Sequence, residues 1–159
     1  MKKAFTLVEI VAAMAVTFVL LAVILVGFDV FGSKARARDI KRLSDLDLID
    51  KAINEYALDN NTYPDAQQVL RISTEVASGG PSVDNPTSGW IAGDLSSYVT
   101  RLPTDPLNSN EYHYFYYHDG KNGYELNCIL EFFLADMQND GGNDPNRYEM
   151  GNNLLLITP

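Results

Sequence analysis

From Phe5 to Phe28 the chain carries one charged side chain, Glu9, and from Ile10 to Phe28 it carries none. As a helix rising 1.5 Å per residue, the run from Phe5 to Phe28 reaches about 36 Å, enough to cross a hydrocarbon core about 30 Å thick. A bilayer span is therefore the first constraint on the fold. Lys2 and Lys3 precede the run, and Lys34, Arg36, Arg38, Lys41 and Arg42 follow it, so charge alone leaves the orientation open. A leader with two lysines favours a cytoplasmic N-terminus and an exported remainder. A secretory signal has an apolar stretch of about 7 to 15 residues closed by a small-residue cleavage site. This stretch is longer and ends without an A-x-A exit.

Charge divides the chain in the same place. Residues 1–42 hold seven basic and three acidic side chains, and residues 43–159 hold five and eighteen. An acidic distal part repels phosphate backbones, so no nucleic acid is expected as a partner. The basic segment is expected to meet an anionic lipid surface; the bland alternative is a solvated helical turn. Cys128 is the one cysteine; it cannot form an intramolecular disulfide and reads as a buried small hydrophobe.

Glu9 is anomalous, because a carboxylate inside an apolar span costs about 2.5 to 3.5 kcal/mol on insertion scales. It needs a partner. The string Lys2-Lys3-Ala4-Phe5-Thr6-Leu7-Val8-Glu9-Ile10 resembles the class III leader of type IV pilins and type II secretion pseudopilins. The resemblance implies cleavage between Ala4 and Phe5 by a prepilin peptidase, N-methylation of Phe5, and a role in assembly for Glu9, the fifth mature residue. The family usually has Gly where this chain has Ala4, and many members have Pro where it has Val26.

Beyond the span, Ile40, Leu43, Leu46, Ile49, Ile53 and Tyr56 recur at helical steps, and no proline intervenes before Pro64. One helix from Phe5 to about Leu58 is expected, weakest at Gly27 and Gly32. Asp59-Asn60-Asn61-Thr62-Tyr63-Pro64 and Leu102-Pro103-Thr104-Asp105-Pro106-Leu107-Asn108 resemble the stem stop and the turn before the sheet in the same family. The spacing predicts a short helix over 66–77, a loop over 78–89, strands over 112–117, 124–133 and 153–158, and a hairpin turn at Asp119-Gly120-Lys121-Asn122-Gly123. The expected fold is α+β and pilin-like, a long helix on a small antiparallel sheet. Its parts are a leader (1–4), an apolar half-helix (5–28), an amphipathic half-helix (29–58) and a globular head (59–159).

No G-x-S-x-G, H-E-x-x-H, phosphate loop or C-x-x-C occurs, so no catalytic apparatus is visible. The loop from Asp136 to Asn146 is a candidate Ca²⁺ site. Asp136, Asp140, Asn143 and Asp144 offer hard oxygens among glycines, without EF-hand spacing; the bland alternative is a loop whose side chains bond their own backbone. The functional expectation is a filament subunit that waits in the cytoplasmic membrane and is processed by the prepilin peptidase and methyltransferase. An inner-membrane assembly platform then polymerises it with copies of itself or with minor pilins. A type IV pilus is the first reading and a periplasmic secretion pseudopilus the second. A membrane-anchored glycan-binding module, using Tyr112, Tyr114, Phe115, Tyr116 and Tyr117, is the alternative of another class.

Overall fold

The computed structural model describes residues 5–75, 89–121 and 123–158, and of residues 25–31 the backbone alone. The expected leader, with Ala4, and residues 78–88 of the expected loop lie outside the described residues. Helix α1 runs unbroken from Leu7 to Asn60. Thr6 caps its start, and Asn61 ends it in the left-handed conformation at φ 53°, which asparagine tolerates better than most residues. The buried stripe of its second half is Leu46, Ile49, Ala52 and Ile53. Ile40, expected on that stripe, is exposed, because the inward position is taken by Asp39.

The head is one antiparallel sheet in the order β1 (Arg71–Ile72), β2 (Phe115–His118), β3 (Tyr124–Cys128) and β4 (Tyr148–Gly151). The β2–β3 hairpin pairs Phe115 with Asn127 and His118 with Tyr124. Its turn is held by Asp119, whose carboxylate accepts from the N–H of Lys121 at 2.8 Å and of Gly123 at 3.0 Å. Central strand β3 is buried along its whole length. Leu126, Tyr116, Tyr114 and Trp90 form the core against the stem, and Cys128 lies among them.

Three elements differ from the sequence expectation, each because a carboxylate captured the backbone. No helix forms over residues 66–75. Asp65 instead accepts from the N–H of Ala66 at 2.6 Å, Arg71 Nε at 2.8 Å and the N–H of Ala92 at 2.7 Å, which folds the segment into a turn leading to the edge strand β1. The strand expected over 124–133 stops at Cys128, since the amides of Glu131 to Phe133 turn onto Asp39. A short helix, α2 (Leu134–Asn139), follows. The last strand lies at 148–151 rather than 153–158. Glu125 holds the later segment, accepting from the N–H of Leu156 at 2.7 Å and of Ile157 at 2.9 Å.

The β3–β4 register permits only glycine at one position. A Cβ on Gly151 would lie 2.3 Å from the Tyr124 carbonyl oxygen, in a backbone at φ 145°. Gly151→Ala is expected to destabilise the head by about 2 to 3 kcal/mol. Gly32→Ala, with nothing within 4 Å of the added methyl, should stabilise the helix by about 0.5 to 1 kcal/mol. Thermal melts of the detergent-solubilised chain check both, and an unchanged midpoint for Gly151→Ala would refute the β4 register.

Candidate functional site

The first half of α1 has no cover within the subunit. Leu7–Ile24 forms an apolar stretch, charged only at Glu9, of which no part is buried. Each large aliphatic side chain left in water forgoes about 1.5 to 3 kcal/mol of burial, so a bilayer or other copies must surround it. Thr17 satisfies its hydroxyl internally by donating to the Ala13 carbonyl at 2.8 Å.

Glu9 finds a partner one turn away. It occupies the third helical position of a capping box, accepting from Thr6 N–H and Thr6 Oγ1 at 2.8 Å each, while Glu9 N–H donates to Thr6 Oγ1 at 3.3 Å. Two otherwise orphan amides at the helix start are thereby satisfied. The Thr6-x-x-Glu9 spacing carried this signal in the sequence. Phe5, the expected mature N-terminus, is exposed beside it.

The second half of α1 is fastened to the head by a buried charge cluster. Arg42 is fully buried. Its Nε donates to Asp105 at 2.6 Å, and one terminal nitrogen donates to Asp39 at 2.7 Å and to Glu131 at 2.6 Å. The Tyr112 ring lies 4.9 Å from the guanidinium carbon. Burial opposes the Arg42 charge, but bonds to Asp105, Glu131 and Asp39 outweigh it and raise the affinity for the proton. Hydrogen bonding from Arg38 holds Glu131 below the ordinary carboxylate range. Asp105 also accepts from the N–H of Leu107 at 2.8 Å, so the residue that holds the Leu102–Asn108 turn is the one that ties it to the stem at Arg42. The sequence hint was charge at Asp39 and Arg42 on an otherwise apolar stripe.

The acidic loop is partly assembled. Asp140 accepts from the N–H of Gly142 at 2.9 Å and of Glu149 at 2.8 Å. Asp144 is buried, accepts from Asn146 N–H at 2.9 Å and pairs with Arg147 at 3.1 Å. Asp136 is exposed on α2, and Asn143 Oδ1 is buried with no hydrogen-bond donor. Among the described residues no group of three His, Cys, Asp or Glu side chains converges as metal ligands would. Sequence reasoning missed Glu149. Its carboxyl accepts from Asp144 N–H at 3.2 Å, and its Oε1 has no N–H donor. Burial, with Glu125 and Asp140 nearby, pushes its pKa up to about 7.

The aromatic strand is not a platform, because Tyr114, Phe115 and Tyr116 are buried. That removes most of the surface a glycan would stack on.

Removing one partner from a buried ion cluster costs about 3 to 5 kcal/mol, because the remaining charges stay buried and unpaired. Arg42→Leu is expected to destabilise the head by this amount. Lys51→Ala, which breaks an exposed pair with Asp47, should cost less than about 0.5 kcal/mol. Denaturant titration of the two variants checks the contrast.

The profile of the family described as "Type II secretion system (T2SS), protein G" matches residues 29–146. The type II secretion system core protein G of Klebsiella pneumoniae is 31% identical over 109 residues, covering 69% of this chain and 71% of the relative. That of Pectobacterium carotovorum is 30% identical over 110 residues, covering 69% and 64%, and that of Escherichia coli K12 is 29% identical over 109 residues, covering 69% of each. No solved structure matches.

Proposed function

Because the chain belongs to the type II secretion system protein G family, a family of structural subunits rather than enzymes, we propose that it is a pseudopilin, the building block of a periplasmic secretion pseudopilus. One observation carries this reading over that of a type IV pilus subunit. The match to protein G falls on stem and head, residues 29–146, whereas the leader and apolar span resemble both classes alike. The first expectation drawn from the sequence, a surface pilus, accordingly yields to the second.

In this proposal the precursor sits in the cytoplasmic membrane through α1, the prepilin peptidase cuts between Ala4 and Phe5, and the new amine of Phe5 is methylated. Subunits then leave the bilayer through the assembly platform, their apolar half-helices packing on one another and on other pseudopilins. The amine remains charged. A unit charge 4 Å from the Glu9 carboxylate of a neighbouring copy attracts it by about 4 kcal/mol at an effective dielectric of 20, less the desolvation cost. The capping box competes for that carboxylate, and two variants separate the roles. Glu9→Gln keeps a capping acceptor without the charge, whereas Glu9→Leu loses both.

In the native host, deletion of the chain is expected to stop export of the secreted proteins while leaving surface pili intact. Loss of pili with normal secretion would overturn the proposal. Mass spectrometry of the protein purified from the cell envelope should find a methylated Phe5 at the N-terminus. Both Glu9 variants should be cleaved yet fail to restore secretion. Normal secretion by Glu9→Gln alone would leave the carboxylate a capping role only.

Calcium belongs to the same proposal. Two buried acceptors without a donor, Asn143 Oδ1 and Glu149 Oε1, are what favours a hard cation, which takes several oxygens. Asp140 and Asp144 would join them only by turning from their backbone partners and, for Asp144, from Arg147, since no three such carboxylates converge among the described residues. Asp136, exposed on α2, contributes nothing to that set as it stands. A cation that binds only the folded head adds about 2.7 kcal/mol at a hundredfold excess over its Kd, and equal melting midpoints in Ca²⁺ and in chelator would leave only a self-bonded polar loop. Without calcium the sign of the pH dependence follows from Glu149. Its folded pKa of about 7 lies above the ordinary 4.5, so the folded head holds a proton that the unfolded chain has released. Stability therefore falls as pH rises from 4.5 to about 7. Glu149→Gln should flatten that decline in chelator.

A further inference from the structure

The pole of the head next to the apolar span carries exposed apolar side chains among its charged ones. Phe132 is 50% and Leu134 53% exposed. The backbone fixes their place. Asp39 accepts from the N–H groups of Glu131, Phe132 and Phe133 at 2.9, 2.6 and 3.1 Å, and the Arg36 guanidinium carbon lies 5.9 Å from the centres of both the Phe132 and Phe133 rings. The aromatic turn thus sits beside the first helical turns beyond the apolar span. Arg36 stands only about 12 Å along the helix from Phe28.

An apolar run of about 36 Å is longer than a hydrocarbon core of about 30 Å, and a single helix relieves such excess by tilting. Tilt lowers one side of whatever the helix carries. Which side goes down is set by interfacial anchors, for which aromatic and cationic side chains are the usual residues. Here both kinds occur together, since Arg36 lies against the Phe132 and Phe133 rings and Lys34 stands two residues nearer the span on the same helix.

We propose that the Phe132–Leu134 turn, with Lys34 and Arg36, is a second membrane contact that seats the head of the unassembled subunit on an anionic lipid surface and sets the direction of stem tilt. The proposal rests on the reading of α1 as a membrane anchor. Acids share this pole. Arg38 and Arg42 offset two of the three carboxylates Asp39, Asp105 and Glu131, and among the described residues Glu111 and Asp136 are exposed. The apolar side chains therefore carry the contact, and Arg36 and Lys34 bias it towards anionic lipid. Lipid is the occupant because the turn stays within reach of the headgroups for as long as the stem remains in the bilayer. On assembly the contact must break, so it also opposes premature extraction.

The test uses the full chain reconstituted in phosphatidylcholine vesicles with a minority of phosphatidylglycerol. A nitrobenzoxadiazole maleimide is placed at Ala135→Cys, beside the turn, or at Lys121→Cys, at the opposite pole next to Ala57 and Asn61. Cys128 is fully buried and burial pushes its thiol pKa up, so it stays unlabelled. A headgroup nitroxide lipid should quench the label at position 135 several-fold more than at 121. Adding Phe132→Ser and Leu134→Ser, or replacing phosphatidylglycerol by phosphatidylcholine, should bring quenching at 135 down towards the level at 121. Equal quenching at both positions in a chain that resists alkaline extraction overturns the contact and leaves the anchor standing. Quenching at 135 that falls as protein density rises, with lipid unchanged, overturns it in favour of a second copy on this face. A chain that alkali strips from the vesicles overturns the anchor and this proposal together.

Discussion

A single guanidinium, buried beyond the reach of water, decides how the head sits on its stem. Arg42 must be matched by anions wherever it is enclosed, and the anions come from the stem at Asp39, from the proline-flanked turn at Asp105 and from the end of the sheet at Glu131. These positions are far apart in sequence, so satisfying one cation brings three segments to one place. The cost of failure is steep because charges in a low-dielectric interior cannot be left unpaired. Apolar packing of Leu46, Ile49 and Ile53 supplies the attraction between helix and sheet, but it has no direction of its own. The ion cluster supplies the register.

The same chemistry explains why a head with so few strand residues folds at all. Irregular backbone leaves amides without ladder partners, and each must find an acceptor if it is buried. In this head carboxylates fill that role: Asp39 takes three successive amides, and Asp65, Asp105, Asp119, Glu125 and Asp140 each hold a turn or a terminus. Five of the eighteen acidic side chains beyond residue 42 thus serve as framework.

That framework also marks the limit of what could be read from the sequence. The stem was legible from end to end, because its apolar span, its helical stripe and the stop before Pro64 are local patterns. So was the β2–β3 hairpin, announced by Asp-Gly and Asn-Gly between aromatic runs. The edges of the sheet were not. Leu154 to Ile157 looks like a strand and is instead held by Glu125, and residues 66–75 look helical and are instead gathered by Asp65. A side chain that bonds backbone far away in sequence leaves no periodic trace. For the functional residues the division is similar. The capping spacing of Thr6 and Glu9 is visible in four letters, whereas the partners of Arg42 and the burial of Glu149 emerge only when distant segments meet.

The grip of head on stem has a mechanical consequence. The head touches α1 along its axis, from Arg36 past the Arg42 cluster and the Tyr124 contact with Asp50 and Asn54 to Tyr98 on Asp59. A pull along the rod loads these contacts side by side, in shear, so none can yield without the others. A pull across the rod would peel them one at a time, beginning at either end. Load directed along the stem is therefore the direction in which this subunit is stiff, and sideways load is the direction in which it is weak.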